Sequence, residues 1–451
     1  MPAFLPPGPQ GIETLPYFRL MGNNPLEMFT RLSQGYGDVS SVQLGPQRLS
    51  LVLEPALIQR ILVNDNSQFK KGRFLELAKD LLGDGLLTSE GELHKRQRLL
   101  IQPMFHRQMI RNYAKIMVDW GERFSGRWHD GQELDLAREM MKLTLAIVGE
   151  SLFGSDVEAD AADVGRALEA VLDITVIGRP LQLLARNLPT PSRERFLQSK
   201  RLLDQTIQTI IDAHRSGQSQ GHDLIRLLLE ASDEEGKGMS DQLVRDEALT
   251  LFLAGHETTS NALSWTWYLL SQHPRAEALF HRELDQVLGG RPPDVDDLPR
   301  LTYTRQVMTE SMRLFPPAWV IGRRALNDYR LGPYRIPQGS IVTISQFLVH
   351  RSPRFFAEPL SFCPERWTPE FKRDLPKFAY FPFGGGPRNC IGEAFAWMEG
   401  TLLLASLGQH WRFRLQPGQR VEPQPMVTLR PRNGLQMRLE ARVPAAVPVS
   451  V

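Results

Sequence analysis

Few residues of this chain are able to do chemistry, and their spacing says what each could do. Cys390 stands in Phe383-Gly384-Gly385-Gly386-Pro387-Arg388-Asn389-Cys390-Ile391-Gly392, ahead of the apolar run EAFAWMEGTLLLASL, which predicts a helix. A thiolate needs positive surroundings to persist, and the free N–H groups at a helix start supply them. The glycines let backbone amides come close to the sulfur. The alternative is an inert buried thiol, and that reading is kept for Cys363, which sits in SFCPERW with neither glycine loop nor flanking helix. A second cluster, Ala254-Gly255-His256-Glu257-Thr258-Thr259, interrupts the apolar middle of a stretch whose pattern predicts one helix from Asp241 to about Gln272, roughly 48 Å long at 1.5 Å per residue. Glycine inside a helix costs on the order of 1 kcal/mol relative to alanine, and buried glutamate is rare, so the cluster needs a reason. Taken alone, a kinked core helix with satisfied polar groups would account for it.

Charged pairs form the third group. Glu310 and Arg313 in TESMRLFPP are three apart, so they share a helix face and can pair, although an exposed salt bridge is the commoner outcome at that spacing. His94 and Arg98 in GELHKRQR lie one turn apart, and a guanidinium suits a carboxylate as a fork donor. Arg323 and Arg324 in VIGRRAL add two cations, any of which could equally belong to a solvated face.

Together these segments resemble the cytochrome P450 family. The family's haem signature, Phe-x-x-Gly-x-Arg-x-Cys-x-Gly, is filled at every fixed position by Phe383, Gly386, Arg388, Cys390 and Gly392, and the run from Ala254 to Thr259 matches its (Ala/Gly)-Gly-x-(Asp/Glu)-Thr-(Thr/Ser) motif. The resemblance extends from roughly Gly91 to Arg430. It implies a haem b (iron protoporphyrin IX) whose iron takes Cys390 as its ligand, with Phe383, Gly384, Gly392 and Ala254 against the cofactor. Arg388 and Arg98 are implied to hold haem propionates, together with His94, where many relatives carry tryptophan, and Arg323 or its neighbour Arg324. The pair Glu310–Arg313 is implied to be completed by Arg366 from Pro364-Glu365-Arg366-Trp367, as a buried network that shapes the cysteine loop rather than doing chemistry. The motif on the long helix implies an opened turn with room for dioxygen, where Thr258 supports the reduced oxygen by a hydrogen bond and Glu257 helps relay two protons. The implied reaction is RH + O2 + 2e + 2H+ giving ROH + H2O.

These groups need a scaffold to position them. The resemblance implies a mainly α cytochrome P450 fold in one domain spanning 1–451, with the haem buried between the long helix and the cysteine loop. By length alone, 451 residues would suggest two or three domains. β-structure is expected near 37–75 and 325–350, with a helical remainder: GDVSSVQLGPQRLSLVL (37–53) alternates like a hairpin, and YRLGPYRIPQGSIVTIS reads as short strands. From about Pro55 to Leu288 apolar residues recur at helical spacing, broken only by SGQSQGHD (216–223) and DEEGKGMSD (233–241), which are too short to be domain linkers.

Composition sets the partners. With 53 Lys plus Arg against 51 Asp plus Glu there is no global basic field to draw nucleic acid, and two cysteines exclude a disulfide scaffold. No stretch resembles a signal peptide or a membrane anchor, so a cytoplasmic protein is expected. No flavin fingerprint or cysteine cluster accompanies the haem motifs, which implies electrons from a separate ferredoxin or flavodoxin with its NAD(P)H reductase. Lys95, Arg96, Arg107 and Arg111 suggest where an acidic donor would dock. The pocket walls implied by resemblance are Leu82, Leu86, Leu87, Phe252, Ala254, Ala318, Trp319, Val320, Val427 and Thr428, nearly all apolar, which favours a lipophilic substrate such as a fatty acid, terpenoid or carotenoid. A peroxygenase or isomerase on the same fold would tend to lack the Glu257–Thr258 pair, and a gas sensor would tend to carry a fused signalling domain.

Overall fold

Alternating residues at the start of the chain form the hairpin expected of them. In the computed structural model, which describes residues 4–105, 107–154, 190–217, 223–233 and 235–442, β1 (Val39–Leu44) and β2 (Gln47–Val52) pair antiparallel through a turn at Gly45, whose φ is +59°. β2 then runs parallel to β8 (Ile341–Ile344), and β5 (Ile321–Ala325) and β3 (Phe69–Lys71) complete a five-stranded sheet in the order β1-β2-β8-β5-β3. The two β-regions expected from the sequence are thus one sheet. Its buried face carries Leu51, Val52, Val342 and Ile344, which pack with Ile58, Ile61 and Trp319. The register sets Lys71 opposite Arg323, so the sheet itself brings two distant cations side by side.

Within the expected region at 325–350, β6 (Tyr329–Leu331) and β7 (Tyr334–Ile336) make a separate small hairpin. The remainder is less uniformly helical than expected: past the last helix β9 (Trp411–Leu415), β10 (Pro423–Pro425), β11 (Leu429–Pro431) and β12 (Gln436–Ala441) form two further sheets, one of which recruits β4 (Glu133–Asp135). The signal was present as a two-residue period: WRFRL and QMRLEA turn Phe413, Met437 and Leu439 inward and their arginines out. The expected breaks at 216–223 and 233–241 fall partly on 218–222 and 234, outside the described residues.

Seven helices matter for the site: α1 (Gly91–Ile101), α2 (Arg107–Ser125), α3 (Leu136–Phe153), α4 (Asp241–Gln272), α5 (Pro274–Leu288), α6 (Thr302–Leu314) and α7 (Glu393–His410). α4 spans the predicted residues, starting where the Ser240 side chain accepts from the Leu243 N–H. It is buried from Val244 to Leu270 on nearly every side, between α3, α6 and α7. Leu263, Trp267, Phe280, Leu402 and Leu403 join Met117 and Trp120 in one core, and each such side chain contributes about 1.5–3 kcal/mol on leaving water. Gly255 has a packing reason: a Cβ there would lie 3.0 Å from Val148 Cγ2, so the glycine lets α3 close on α4. The Thr144 hydroxyl crosses at the same level to the His256 carbonyl at 3.0 Å. α4 remains α-helical through the cluster, so the opened turn implied by resemblance is not seen.

The Glu310–Arg313 pair is buried and not a surface bridge. Arg313 Nε and an Nη reach the two Glu310 oxygens, each at 2.8 Å, and its guanidinium also donates to the carbonyls of His350, Pro359 and Ser361. Arg366 Nε, the Cys363 N–H and Trp367 Nε1 complete the shell around the Glu310 carboxylate at 3.0, 3.0 and 2.8 Å. The helix and the meander that leads to the cysteine are fastened at this point. Arg313→Met leaves Glu310 charged and underpaired in the core, and denaturant unfolding should show a loss of about 3–5 kcal/mol. A loss below about 1 kcal/mol would place the pair among ordinary surface bridges.

Candidate active site

Backbone constraint shapes the cysteine loop. Gly386 has φ +73° and a Cβ there would collide with the Leu62 carbonyl, while one at Gly385 would strike the Phe378 ring. The Asn389 N–H bonds to the Gly386 carbonyl and the Cys390 N–H to the Phe383 carbonyl, both at 3.0 Å, which turns the chain so that α7 starts directly after Gly392. Cys390 has free surface toward a cavity of about 840 Å³ whose wall includes Arg98, Phe105, Arg111, Arg305 and Trp397. The surrounding protein nonetheless desolvates its sulfur. Burial pushes the thiol up to about 11, against the lowering effects of the Gly392 N–H and the Arg98 charge. The helix start expected to hold a thiolate is therefore outweighed, and a metal that displaces the thiol proton has to supply the difference.

A cationic cradle adjoins the loop. Arg98 of α1 grips the residue before the cysteine, donating to the Asn389 carbonyl at 2.9 Å and to Asn389 Oδ1 at 2.6 Å. His94, one turn earlier, is buried, and desolvation together with Lys71, Arg388, Arg98 and Arg323 lowers it to about 4, so it is neutral at neutral pH. Arg388 pairs with Glu90. Arg323 is buried and its guanidinium is lowered to about 10 by desolvation and the Arg388 charge, whereas Arg324 reaches out to Glu76 at 3.3 Å. Of the two neighbours, Arg323 is the one that faces the cradle. Two members were missed in the sequence: Lys71, buried and lowered to about 7 mainly by desolvation, and Glu90, whose carboxylate also accepts the Lys71 N–H. Nothing in KKGRF marks the second lysine as buried, apart from its phase in a three-residue strand.

On α4, Ala254 is exposed and Thr258 half-buried four residues on, so the helix presents one free strip amid buried neighbours. The Thr258 hydroxyl donates to the Ala254 carbonyl at 2.7 Å. Glu257 is buried and accepts from the Thr428 hydroxyl at 2.6 Å, and Asn261 Nδ2 donates to that same hydroxyl at 3.0 Å. Thr428, expected as a pocket wall, is instead a support for Glu257. Phe252 and Trp319 are core residues with almost no exposure. The basic docking cluster also changes: Arg96 is committed to Asp233 and to the Lys237 and Gly238 carbonyls, Lys95 pairs with Glu92, and the Arg107 side chain lies outside the described residues.

Residues 6–438 match the family model described as Cytochrome P450. The chain belongs to the cytochrome P450 family. Curated relatives include cyclooctatin synthase of Streptomyces melanosporofaciens, 39% identical over 93% of this chain and 92% of that protein, and pentalenene oxygenase of Streptomyces avermitilis, 35% identical over 94% of each. Cyclooctat-9-en-7-ol 5-monooxygenase, also of S. melanosporofaciens, is 34% identical over 91% of this chain and 90% of its own. Among solved structures, the cytochrome P450DA heme domain superposes with a TM-score of 0.87 at 26% identity, covering 98% of each chain. Retinoic acid bound cyanobacterial CYP120A1 gives the same score at 25% identity over 98% of this chain and 100% of that one. This cytochrome P450 is accordingly a haem-thiolate mono-oxygenase. Among the described residues no helix is long and apolar enough to cross a membrane.

The cytochrome P450 site fits its cofactor on electrostatic grounds. Arg98, Arg323 and Arg388 converge with Lys71 around His94, and Glu90 and the buried Glu247 are the carboxyl groups felt there, which leaves an excess of positive charge that suits two propionates. The open surfaces of Cys390 and Ala254 suit a flat apolar ring. Cys390→His should lose the red-shifted Soret band of the reduced, CO-bound thiolate form, while Cys363→Ser, whose N–H rather than its sulfur serves Glu310, should keep it. Loss of that band in Cys363→Ser would overturn the assignment.

Proposed function

We propose that this mono-oxygenase uses Cys390 as its iron ligand, holds the haem propionates with Arg98, Arg323, Arg388 and His94, and oxidises a lipophilic cyclic hydrocarbon or the corresponding alcohol. The observation that carries this reading is the strip of free surface at Ala254 and Thr258, set in a helix that is otherwise mostly buried there. Two relatives bear the names of an unsaturated hydrocarbon, pentalenene, and an unsaturated alcohol, cyclooctat-9-en-7-ol, which supports a terpenoid over a fatty acid. Bound haem supplies the activation of dioxygen. The protein's part is orientation and protons. Because the Thr258 proton is committed to the Ala254 carbonyl, its oxygen is left as an acceptor on the free strip, suited to holding a water that passes protons. Glu257, one residue back and therefore turned about 100° around the helix, takes its proton on the Thr428 side and delivers it by rotating its carboxyl. Electrons come from a separate ferredoxin or flavodoxin served by an NAD(P)H reductase, docking over the cavity beside Cys390, where Arg111, paired with Asp296, remains exposed.

Thr258→Val keeps the branched shape but removes the hydroxyl. Haem binding and the thiolate spectrum should survive, while product formed per NADPH falls and hydrogen peroxide rises; Thr258→Ser should restore coupling. Full coupling in the valine variant would remove the proton-delivery role. Arg111→Glu should slow electron transfer from an acidic ferredoxin and flatten its dependence on salt. Unchanged rates across a salt series would place the docking surface elsewhere.

A further inference from the structure

Segment 83–89 lies against the N-terminal half of α4 and ends at the cradle. Its glycines make the close approach possible: a Cβ at Gly83 would collide with the Asp246 carboxylate, and one at Gly85 would collide with the Thr250 hydroxyl and lie 2.6 Å from the Asp246 carbonyl oxygen. Asp246 Oδ2 accepts from the Asp84 N–H at 2.8 Å, and the Thr88 hydroxyl ties the turn together by donating to the Gly83 carbonyl at 2.7 Å. At its centre, two buried side chains hold the N–H and the carbonyl of one residue, Leu86. Glu247 Oε2 accepts the Leu86 N–H at 2.9 Å, and Lys71 Nζ donates to the Leu86 carbonyl at 2.8 Å and to the Ser89 carbonyl at 2.7 Å.

Glu247 has no part in the chemistry described above, Lys71 also borders the cationic cradle, and both are costly to bury. Glu247 has no exposed surface and its Oε1 has no hydrogen-bond partner. It stands on the row of α4 that holds the free strip: Ala254 is seven residues on and Thr258 eleven, within about 20° of the same direction on the helix. The strip is open at Ala254 and Thr258 and closed at Glu247, where Leu86 covers it. We propose that Lys71 and Glu247 are positioning residues for the substrate, holding the Leu86 carbonyl and N–H so that Leu86 and Leu87 form a fixed wall at the closed end of this strip. The proposal rests on the reading above that the substrate lies along the strip at Ala254 and Thr258. Burial raises the Glu247 carboxyl to about 8 and lowers Lys71 to about 7, yet the grip does not depend on charge. A carboxylic acid or a carboxylate accepts, and an ammonium or an amine donates. Deleting a partner, rather than changing pH, is the decisive perturbation.

Backbone hydrogen exchange of the holoenzyme reads the grip directly. In the unaltered protein the Leu86 amide should be strongly protected, and Glu247→Leu should speed its exchange by about tenfold or more, because a buried N–H loses its acceptor. Glu247→Gln, which keeps an acceptor oxygen, should restore protection, and Lys71→Arg should preserve it where Lys71→Met does not. Two azoles of different reach test the consequence for the wall. In Glu247→Leu, clotrimazole should bind about tenfold more weakly while 4-phenylimidazole, too small to reach the end wall, changes by less than about twofold. An unprotected Leu86 amide in the unaltered protein, or Glu247→Gln behaving like Glu247→Leu, overturns the grip. Equal weakening of both azoles overturns its role in the wall. Failure of the unaltered protein to bind either azole counts against the pocket assignment, and the exchange data still decide the grip.

Discussion

A carboxylate with no access to water, Glu310, takes five hydrogen bonds from four residues that lie on two stretches of chain. Desolvating such a group is so unfavourable that the arrangement survives only when every donor is in place. That requirement passes along the chain. Arg313 can reach Glu310 only if the carbonyls of His350, Pro359 and Ser361 are turned inward, and His350 in turn accepts the Phe381 N–H through its Nε2 at 3.0 Å, two residues before the haem signature starts. The position of the cysteine is thus set through backbone groups that depend on a buried charge more than 75 residues upstream.

The helical scaffold was legible because its signals are local. The limits of α4 follow from periodicity and a serine cap, and those of α6 from a run ending at Pro316-Pro317. The signature around Cys390 was legible because fixed glycines and an arginine at set intervals have few other uses. The late strands were missed although their two-residue period is plain in WRFRL and QMRLEA, since segments of five and six residues give little weight to any local reading. What sequence could not supply was pairing. Arg323 and Arg324 are equivalent as letters, and only the register of a sheet built from both ends of the chain turns one into the cradle and the other toward Glu76. Lys71, Glu90 and Glu247 were invisible for the same reason, each reading as an ordinary surface charge until tertiary structure buried Lys71 and Glu247 and paired Glu90 with Arg388.

The site also shows two uses of desolvation. At Cys390, proposed above as the iron ligand, burial disfavours the thiolate, so a bound metal would have to compete with the thiol proton. At His94, burial and neighbouring cations keep the imidazole neutral, so it enters the cradle as a hydrogen-bonding ring while the guanidiniums provide the charge. One medium thereby separates the duties of groups that lie close together.

The parallel pairing of β2 with β8 joins residues about 290 positions apart, Val52 to Ile344. The cradle is assembled from the same distant pieces: Lys71 and Glu90 come early, Arg323 arrives with β5 and Arg388 later still. During synthesis on the ribosome, a chain that has emerged as far as α4 already carries Lys71, His94 and Arg98 but not Arg323, Arg388 or Cys390. Loop closure of this length is slow relative to helix formation. The cradle is therefore completed late in the birth of this protein, and a nascent chain stalled before β5 carries only its early half.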